Sequence, residues 1–319
     1  MKIRHVLICA LGLNGAVCAQ NYPDKSVRVI VPFPPGGAAD IVGRAITQKL
    51  TDALGKPFLV DNRSGAGGVL GADLAVHAVP DGYTLLFASS SSLSVSPHIL
   101  SKPPYDPQRD LTPVILIAST PNVLVVHLSV PARSAKELIA LAKARPGEII
   151  FASNRTGSLG HLTTELFMQR AGIKMLHVPY RGGAPAMIDM VAGNTSLLFA
   201  TYSTVSTQVR AGRLKALAVT SARRAQAAPE LPTVAEAALP GFESTQWWGI
   251  FGPVGLPAGI VGKLNEQINK ILGSADIRER LAFDATEPLG GTPTDLANYL
   301  KADYERWGKV VRDGGIRAE

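Results

Sequence analysis

The sequence predicts two α/β lobes joined by two chain crossings, each lobe a mostly parallel sheet flanked by helices. Three observations predict it. Short β-rich apolar runs alternate with helical stripes in two separate series. Between the series, two apolar runs have only Ser119, Thr120 and Pro121 between them, too close for a crossover helix. Glycine-rich loops recur between strand and helix in both series. The 319 residues are 46% hydrophobic and 18% charged, enough apolar material for two cores, which excludes a disordered chain, a collagen and a coiled coil.

Residues 1–19 stand apart. Lys2, Arg4 and His5 form a basic start, residues 6–13 an apolar stretch, and Val17 and Ala19 a small-residue cleavage motif before Gln20. This is the pattern of an export signal, and a membrane anchor would need about 20 apolar residues. Val17, rather than a smaller residue, precedes Cys18, which argues against lipidation. Cleavage would remove both cysteines, leaving no disulfide and no thiol chemistry. It would leave 30 basic and 25 acidic residues, a charge of +5. The densest basic clusters are Arg223 with Arg224, and Arg278 with Arg280. No basic stripe carries interleaved aromatics, so no nucleic-acid partner is expected, whereas a mild positive bias suits small anions.

The first series begins at residues 27–33 (VRVIVPF), an apolar run suited to a strand buried on both faces. Val42, Ile46, Leu50, Ala53 and Leu54 then mark a helix over 40–54, closed by Gly55. A strand at 58–61, a helix at 69–78 and a strand at 84–89 complete β-α-β-α-β, the signature of a parallel sheet with right-handed crossovers. Residues 111–118 and 122–127 read as a strand passing between lobes. The second series is helix 135–145, strand 149–153, helix 162–171, strand 174–180, helix 185–192, strand 196–200, helix 205–211 and strand 214–220. The polar stretch 221–229 reads as the second crossing. The rest is helical, with one stripe through Ile260, Leu264, Ile268 and Ile271 and another through Leu296, Leu300, Trp307 and Val311. The expected division is lobe 1 from 20–118 plus 223–319 and lobe 2 from 119–222. Two crossings make a hinge, and a hinge makes a cleft.

Four glycine-rich loops carry the candidate chemistry: residues 32–40 (PFPPGGAAD), 64–68 (SGAGG), 154–160 (NRTGSLG) and 180–185 (YRGGAP). Ligands of open parallel sheets bind beyond the carboxyl ends of the strands, where these loops must lie. Glycine admits close approach to backbone N–H groups, and each following helix N-terminus offers unpaired donors and a positive dipole end. Together they form anion sites needing no charged side chain. The candidates are Phe33, Gly36, Gly37, Ala38, Gly67, Gly68, Gly182, Gly183 and Ala184. Asp40 reads as a helix cap or a ligand contact, Ser158 as an N-cap or donor, and Arg181 as the best side-chain cation. The serine run 89–92, Ser89 included, offers hydroxyls at a cleft rim or a plain polar loop; Ser153, Tyr180, Thr201 and Tyr202 end or follow strands at the same level. Trp247 and Trp248 read as core or lobe interface.

Other chemistries lack their motifs. No loop matches G-x-G-x-x-G or G-x-x-x-x-G-K-[ST], so no cofactor is expected. Position 156 is Thr where a nucleophile elbow around Ser158 would place Gly. No H-E-x-x-H occurs, so no metal is expected either.

Seven segments resemble one family: VPFPPGGAAD (31–40), DNRSGAGGVLG (61–71), PDGYTLL (80–86), HVPYRGGAPA (177–186), AGRLKALAVT (211–220), LPTVAE (231–236) and PGF (240–242). Spread over nearly the whole mature chain, they are similar to the Bug, or TctC-type, solute receptors of tripartite tricarboxylate transporters. The resemblance implies a periplasmic binding protein of the two-lobed Venus-flytrap, type II, fold. It implies a small-carboxylate ligand and membrane transporter subunits as partners, and a monomer is expected. A ligand-presenting sensor would share every feature except its partner, and an exported two-lobed enzyme would differ by turnover. In this family the first glycine-rich loop and a facing loop of the second lobe hold one carboxylate, which maps onto Phe33, Gly36, Gly37, Ala38, Asp40 and the stretch from Gly182 to Ala184. The sequence departs from the family at 193–197, which lacks the usual acidic residue, and at Ala200 and Thr201, where many members carry Asp or Asn. A neutral segment at 200–203 would give an ammonium no partner, so a small dicarboxylate is the expected ligand.

Overall fold

The computed structural model describes residues 21–282 and 284–317; the export signal read at 1–19 lies outside the described residues. The apolar runs of the first series form a parallel set, β1 (Val27–Val31) lying between β2 (Phe58–Asn62) and β3 (Thr84–Ser89). The intervening helices are α1 (Ala38–Leu54) and α2 (Val69–Val76). A π-helical turn, Ser91–Val95, and a short helix α3 (Ser96–Ile99) follow β3. The two apolar runs around Pro121 form one 17-residue strand, β4 (Leu111–His127). The second series gives α4 (Ala135–Ala144), β5 (Ile150–Ser153), α5 (Leu159–Ala171), β6 (Leu176–Pro179), α6 (Gly183–Ala192), β7 (Leu197–Thr201), α7 (Tyr202–Arg210) and β8 (Leu214–Val219).

The C-terminal third differs most from the sequence reading. It holds α8 (Val234–Ala237), a nine-residue strand β9 (Thr245–Pro253), α9 (Ala258–Leu272), α10 (Ala275–Ala282), a two-residue strand β10 (Glu287–Pro288) and α11 (Pro293–Asp313). Sequence periodicity missed β9 (TQWWGIFGP) because it is buried on both faces and shows no alternation. The stretch 221–229 does not carry the chain straight back. Ala225 is buried beside Val205 and Val219, Val234 beside Leu138 and Phe151, and the chain rejoins the first sheet only at Thr245.

Both lobes use one strand order. The first runs β2-β1-β3-β9-β4, with β9 antiparallel to both neighbours. The second runs β6-β5-β7-β4-β8, with β4 antiparallel to β7 and β8. In each, the strand arriving from the other lobe slots in between the third and fourth native strands. Residues 111–121 of β4 pair with β9, whereas 122–126 pair with β7 and 123–127 with β8.

Helices cover both faces of both sheets. Val29, Val31 and Phe87 pack on Val42, Ile46, Leu264 and Ile268, and Ile30, Leu86 and Phe251 face Val69, Ala72, Leu296 and Leu300. In the second lobe, Leu124, Phe151 and Phe199 meet Leu138, Leu162 and Phe167, while Val123, Ala152 and Leu198 meet Ala186, Met190 and Val205. Helix α11 serves both lobes: Leu296 and Leu300 pack in the first, and Trp307, Val310 and Val311 in the second.

Gly71, at the start of α2, fixes how closely that helix approaches the first glycine-rich loop. A Cβ there would lie 2.7 Å from the Arg63 carbonyl oxygen and 2.7 Å from Pro32 Cβ. Gly71→Ala is therefore expected to lower stability by about 1–3 kcal/mol, the usual cost of overpacking. Denaturant unfolding measures it, and an unchanged midpoint with an unchanged slope would show that the loop has room to yield.

Candidate functional site

Two cavities that share Ser91 lie where the carboxyl ends of the strands face one another. The first, about 530 Å³, is lined by Phe33, Pro34, Pro35, Gly36, Gly37, Ala38, Ala39, Ser91, Gln246 and Trp248. The second, about 550 Å³, is walled by Ala66, Gly67, Ser96 and Ile99 on one lobe and by Arg155, Thr156, Gly157, Tyr180 and Arg181 on the other. The lobes approach closely here. A Cβ on Gly157 would sit 2.8 Å from Ile99 Cδ1, and one on Gly67 would sit 2.8 Å from Ser96 Oγ and 3.5 Å from Arg155 Nη2. Phe33, Gly36, Gly37 and Ala38 are thus brought together in one cavity, and Gly67, Tyr180 and Arg181 in its neighbour.

The first loop is shaped by Asp40. Its carboxylate is 4% exposed and accepts from the Gly36 N–H at 3.0 Å, Arg44 Nε at 2.9 Å and Asn62 Nδ2 at 2.9 Å. Burial alone would push this carboxyl up; the Arg44, Gly36 and Asn62 hydrogen bonds outweigh it and hold it below its ordinary value. Asp40 therefore folds the loop back on itself and presents no free oxygen to the cavity. The N-cap of α1 is Gly37, which provides no side-chain acceptor. The opening turn of α1 is left facing the cavity with its backbone donors uncapped by any side chain. Gly36 adopts φ +81°, a left-handed conformation that the turn requires.

The other loops divide into those with acceptors of their own and those without. Ser158 caps α5, its Oγ accepting from the His161 N–H at 3.3 Å. Helix α7 has no cap from Thr201, but the Asp284 carboxylate reaches over and accepts from the Ser203 N–H at 2.7 Å. Helix α6 starts from Gly182, at φ +117°, without a side-chain cap; Gly182 donates its own N–H to the Asn154 carbonyl at 2.9 Å, and Gly183 and Ala184 open the helix beside Arg181. Of the four helix starts expected to hold anions, α5 is capped by its own Ser158, whereas α1, α2 and α6 carry no side-chain cap, and the start of α2 at Gly68 is buried.

Several candidates lie inside the protein. Ser89 has no exposed surface, and its hydroxyl finds no partner among the described residues. It is not at a rim; only Ser91 of that serine run reaches the cavities. Gly68 is buried, and its close approach is to Ser92 and Phe33, where a Cβ would meet atoms at 2.9 and 3.2 Å. Ser153 is fully buried and binds the Arg155 carbonyl and His177 Nε2. Thr201 pairs with Thr204 at 2.9 Å, and the Tyr202 hydroxyl accepts from Arg210 at 3.3 Å, neither lining a cavity. Sequence reading missed Gln246 and Ser96, and within the candidate loop 154–160 it did not single out Arg155 and Thr156. Gln246 lies on the unrecognised β9, and Ser96 carries no local motif.

Beneath the 154–158 loop lies an aromatic stack. His161 and His177 are parallel at 4.0 Å, and His177 stacks on Phe151 at 4.7 Å. The Gly157 N–H donates to His161 Nδ1 at 3.0 Å, so the ring proton sits on Nε2, 3.5 Å from the Glu165 carboxylate. Burial, and then the neighbouring His161, push His177 down to about 4 from its ordinary 6.5. Tyr180 moves the other way: burial, then the Asp189 carboxylate that its hydroxyl binds at 2.7 Å, push it up to about 12. The phenol stays protonated and ties the cavity wall to α6. Among the described residues no group of His, Cys, Asp and Glu could hold a metal ion.

Two lobes, crossing strands and a cleft faced by glycine loops and arginines define a two-lobed solute-binding protein. The family described as the tripartite tricarboxylate transporter family receptor, TctC, matches residues 42–316. Protein BugT of Bordetella pertussis (strain Tohama I) is 38% identical over 313 residues, covering 98% of this chain and 96% of BugT. Among solved structures, R. palustris Rpa4515 with adipate is 36% identical, with a TM-score of 0.78, covering 93% of this chain and 99% of that one. MatC (Rpa3494) from Rhodopseudomonas palustris with bound malate is 30% identical, with a TM-score of 0.74, covering 91% and 100%. The chain belongs to the tripartite tricarboxylate transporter receptor family, whose members are periplasmic solute-binding proteins and not enzymes.

His177 makes stability pH-dependent in a stated direction. Its ring is neutral in the fold down to about pH 4 but protonates near 6.5 when unfolded. Its contribution is complete above pH 6.5 and declines as pH falls from 6.5 toward 4, because the unfolded chain binds the extra proton. Unfolding free energies at pH 7.5, 5.5 and 4.5 for the wild type and His177→Gln should show a shallower decline in the variant. Equal declines would assign the pH dependence to other groups.

Proposed function

We propose that this chain is the binding component of a tripartite tricarboxylate-type uptake system: exported, freed of its leader near Ala19, monomeric, and closing its lobes on a small dicarboxylate. The observation that carries this reading is the two-ended positive character of the cleft. One lobe offers the uncapped start of α1 through Gly37 and Ala38, set behind the turn at Gly36 that Asp40 holds. The other offers Arg155 and Arg181, neither in an ion pair among the described residues. A carboxylate at each end would satisfy both lobes, and guanidinium forks suit carboxylates geometrically. The adipate of Rpa4515 and the malate of MatC, both dicarboxylates, support it. Asp284 does not change the balance. It stands near the segment expected to be neutral, but it is 4% exposed and committed to the start of α7, so it is no free partner for a ligand ammonium. In this reading residues 119–122 and 244–245 act as the hinge between lobes.

Native mass spectrometry of the freshly purified protein should show a retained small carboxylate. A thermal-melt screen at fixed pH and salt should give its largest shifts with dicarboxylates. Ligand at 100 times its dissociation constant stabilises by about 2.7 kcal/mol. Largest shifts from neutral sugars or cationic amino acids would sink the reading, whereas a monocarboxylate winning would keep the α1 site and remove the two-ended bridge.

Two substitutions separate the ends of the site. A Cβ at Gly37 would meet only the Pro34 carbonyl, at 3.7 Å, so Gly37→Val should fold normally while its side chain fills the space before the α1 donors. Affinity should drop at least tenfold. Arg181→Ala should cost about 1–2 kcal/mol, the loss of one charge-assisted hydrogen bond. Calorimetry on both decides: normal binding by Gly37→Val with none by Arg181→Ala would mean that a side-chain cation alone holds the anion.

A further inference from the structure

A third cavity, about 570 Å³, lies away from the cleft and shares no wall residue with it. Its charged lining is Arg223, Arg224, Arg278 and Glu287. The two strongest basic clusters in the sequence, far apart along the chain, therefore each supply arginine to one hollow. Arg224 is held in place by Glu236, Nε to Oε2 at 2.8 Å, and by the Pro229 carbonyl at 3.3 Å. Arg223, Arg278 and Glu287 form no ion pair among the described residues, so the wall keeps excess positive charge although a carboxylate is at hand.

The cavity sits on the seam between lobes. Arg223 and Arg224 follow β8, and the neighbouring Ala225 is buried in the second lobe. Arg278 belongs to α10, whose Ile277 and Leu281 are buried in the first lobe. Glu287 lies on β10, which pairs with β4 at Ala118 and Ser119, just before that strand changes partners. The loop 284–286 has one side on this cavity, through Ala285 and Thr286. Its other contacts reach the cleft-side elements: Asp284 binds the start of α7, and the Thr286 hydroxyl binds that of Thr120 on β4.

We propose that this cavity is a second anion site, taking a compact multivalent oxyanion whose carboxylate or phosphate groups bridge Arg223 and Arg224 of one lobe to Arg278 of the other. Guanidinium forks bind such groups bidentately, and a volume near 570 Å³ falls within the range of small-molecule sites. An occupant bound by both lobes holds their relative orientation from the hinge side, and it does so whatever the cleft binds. The carboxylates can come from a free polycarboxylate or from the acidic side chains of a peptide segment.

Calorimetric titration at low ionic strength tests it, using citrate, inorganic phosphate and a tetraglutamate peptide against the wild type, Arg223→Ala, Arg278→Ala and Gly37→Val. Citrate should bind saturably to the wild type and equally well to Gly37→Val, whose defect is confined to the cleft. Each arginine variant should bind it at least tenfold more weakly while keeping the wild-type melting temperature. Hydrogen exchange should slow at residues 284–290 when citrate is present. Citrate or phosphate binding without the peptide marks a free anion as the occupant, and peptide binding of comparable strength marks an acidic chain segment. Affinities unchanged by both arginine substitutions, binding lost in Gly37→Val, or no saturable binding by any of the three probes would each overturn the proposal.

Discussion

The architecture depends on β4 belonging to two sheets at once. Its first eleven residues run along β9 and its last six lie between β7, paired with residues 122–126, and β8, paired with 123–127, so neither sheet is complete without it. A buried strand cannot leave its ladder without exposing unpaired N–H and C=O groups. The lobes are therefore free to reorient only where the ladder changes partners, around residues 119–122. The chain is chemically distinct there. Asn122 donates its backbone N–H to the Thr220 hydroxyl at 2.8 Å and its side-chain amide to Thr163 at 3.3 Å, and Thr163 pairs with Ser244 at 2.6 Å. Short hydroxyl side chains keep the polar backbone satisfied where apolar interdigitation would lock the two layers rigidly.

Helix α11 is a second tie between the lobes, with its first turns in one core and its last turns in the other. Between them, Trp247 of β9 donates its indole N–H to Asp303 at 2.7 Å, and Asp303 also takes the Arg306 guanidinium. A buried carboxylate satisfied by two donors fixes α11 against the returning strand. The mouth of the cleft is left to glycine loops and arginines, while the hinge side is held by strand, helix and the 284–286 loop.

The cleft illustrates how charge can be arranged without a dedicated cation at each end. Asp40, in the first turn of α1, would repel an incoming anion if its oxygens faced the cavity. They are turned inward to Gly36, Arg44 and Asn62, so the carboxylate shapes the loop while Arg44 compensates its charge. Asp284 does the opposite at α7, occupying the helix start and removing it from the set of anion sites. Which helix ends remain open is thus decided by acidic residues close in sequence in one case and remote in the other.

The sequence by itself determined the alternation of strands and helices in both series, the strand that runs through Pro121, and the glycine loops that became the cavity walls at Phe33, Gly36, Gly37, Ala38, Gly67, Tyr180 and Arg181. These features are local: periodicity, β-rich runs and glycine at turns each act within a few residues. It did not reveal β9, whose Trp-Gly-Phe run shows no alternation because helices cover both of its faces. Nor did it show that Ser89 and Gly68 turn inward, that Gln246 lines the cleft, which residue of the 154–160 loop faces it, or that Asp284 caps a helix 81 residues away. It named Arg223 and Arg278 as basic clusters without a reason to join them. Those facts rest on which distant segments pack together, and only the tertiary structure decides that, because burial and long-range pairing are properties of the whole fold and leave no period in the chain.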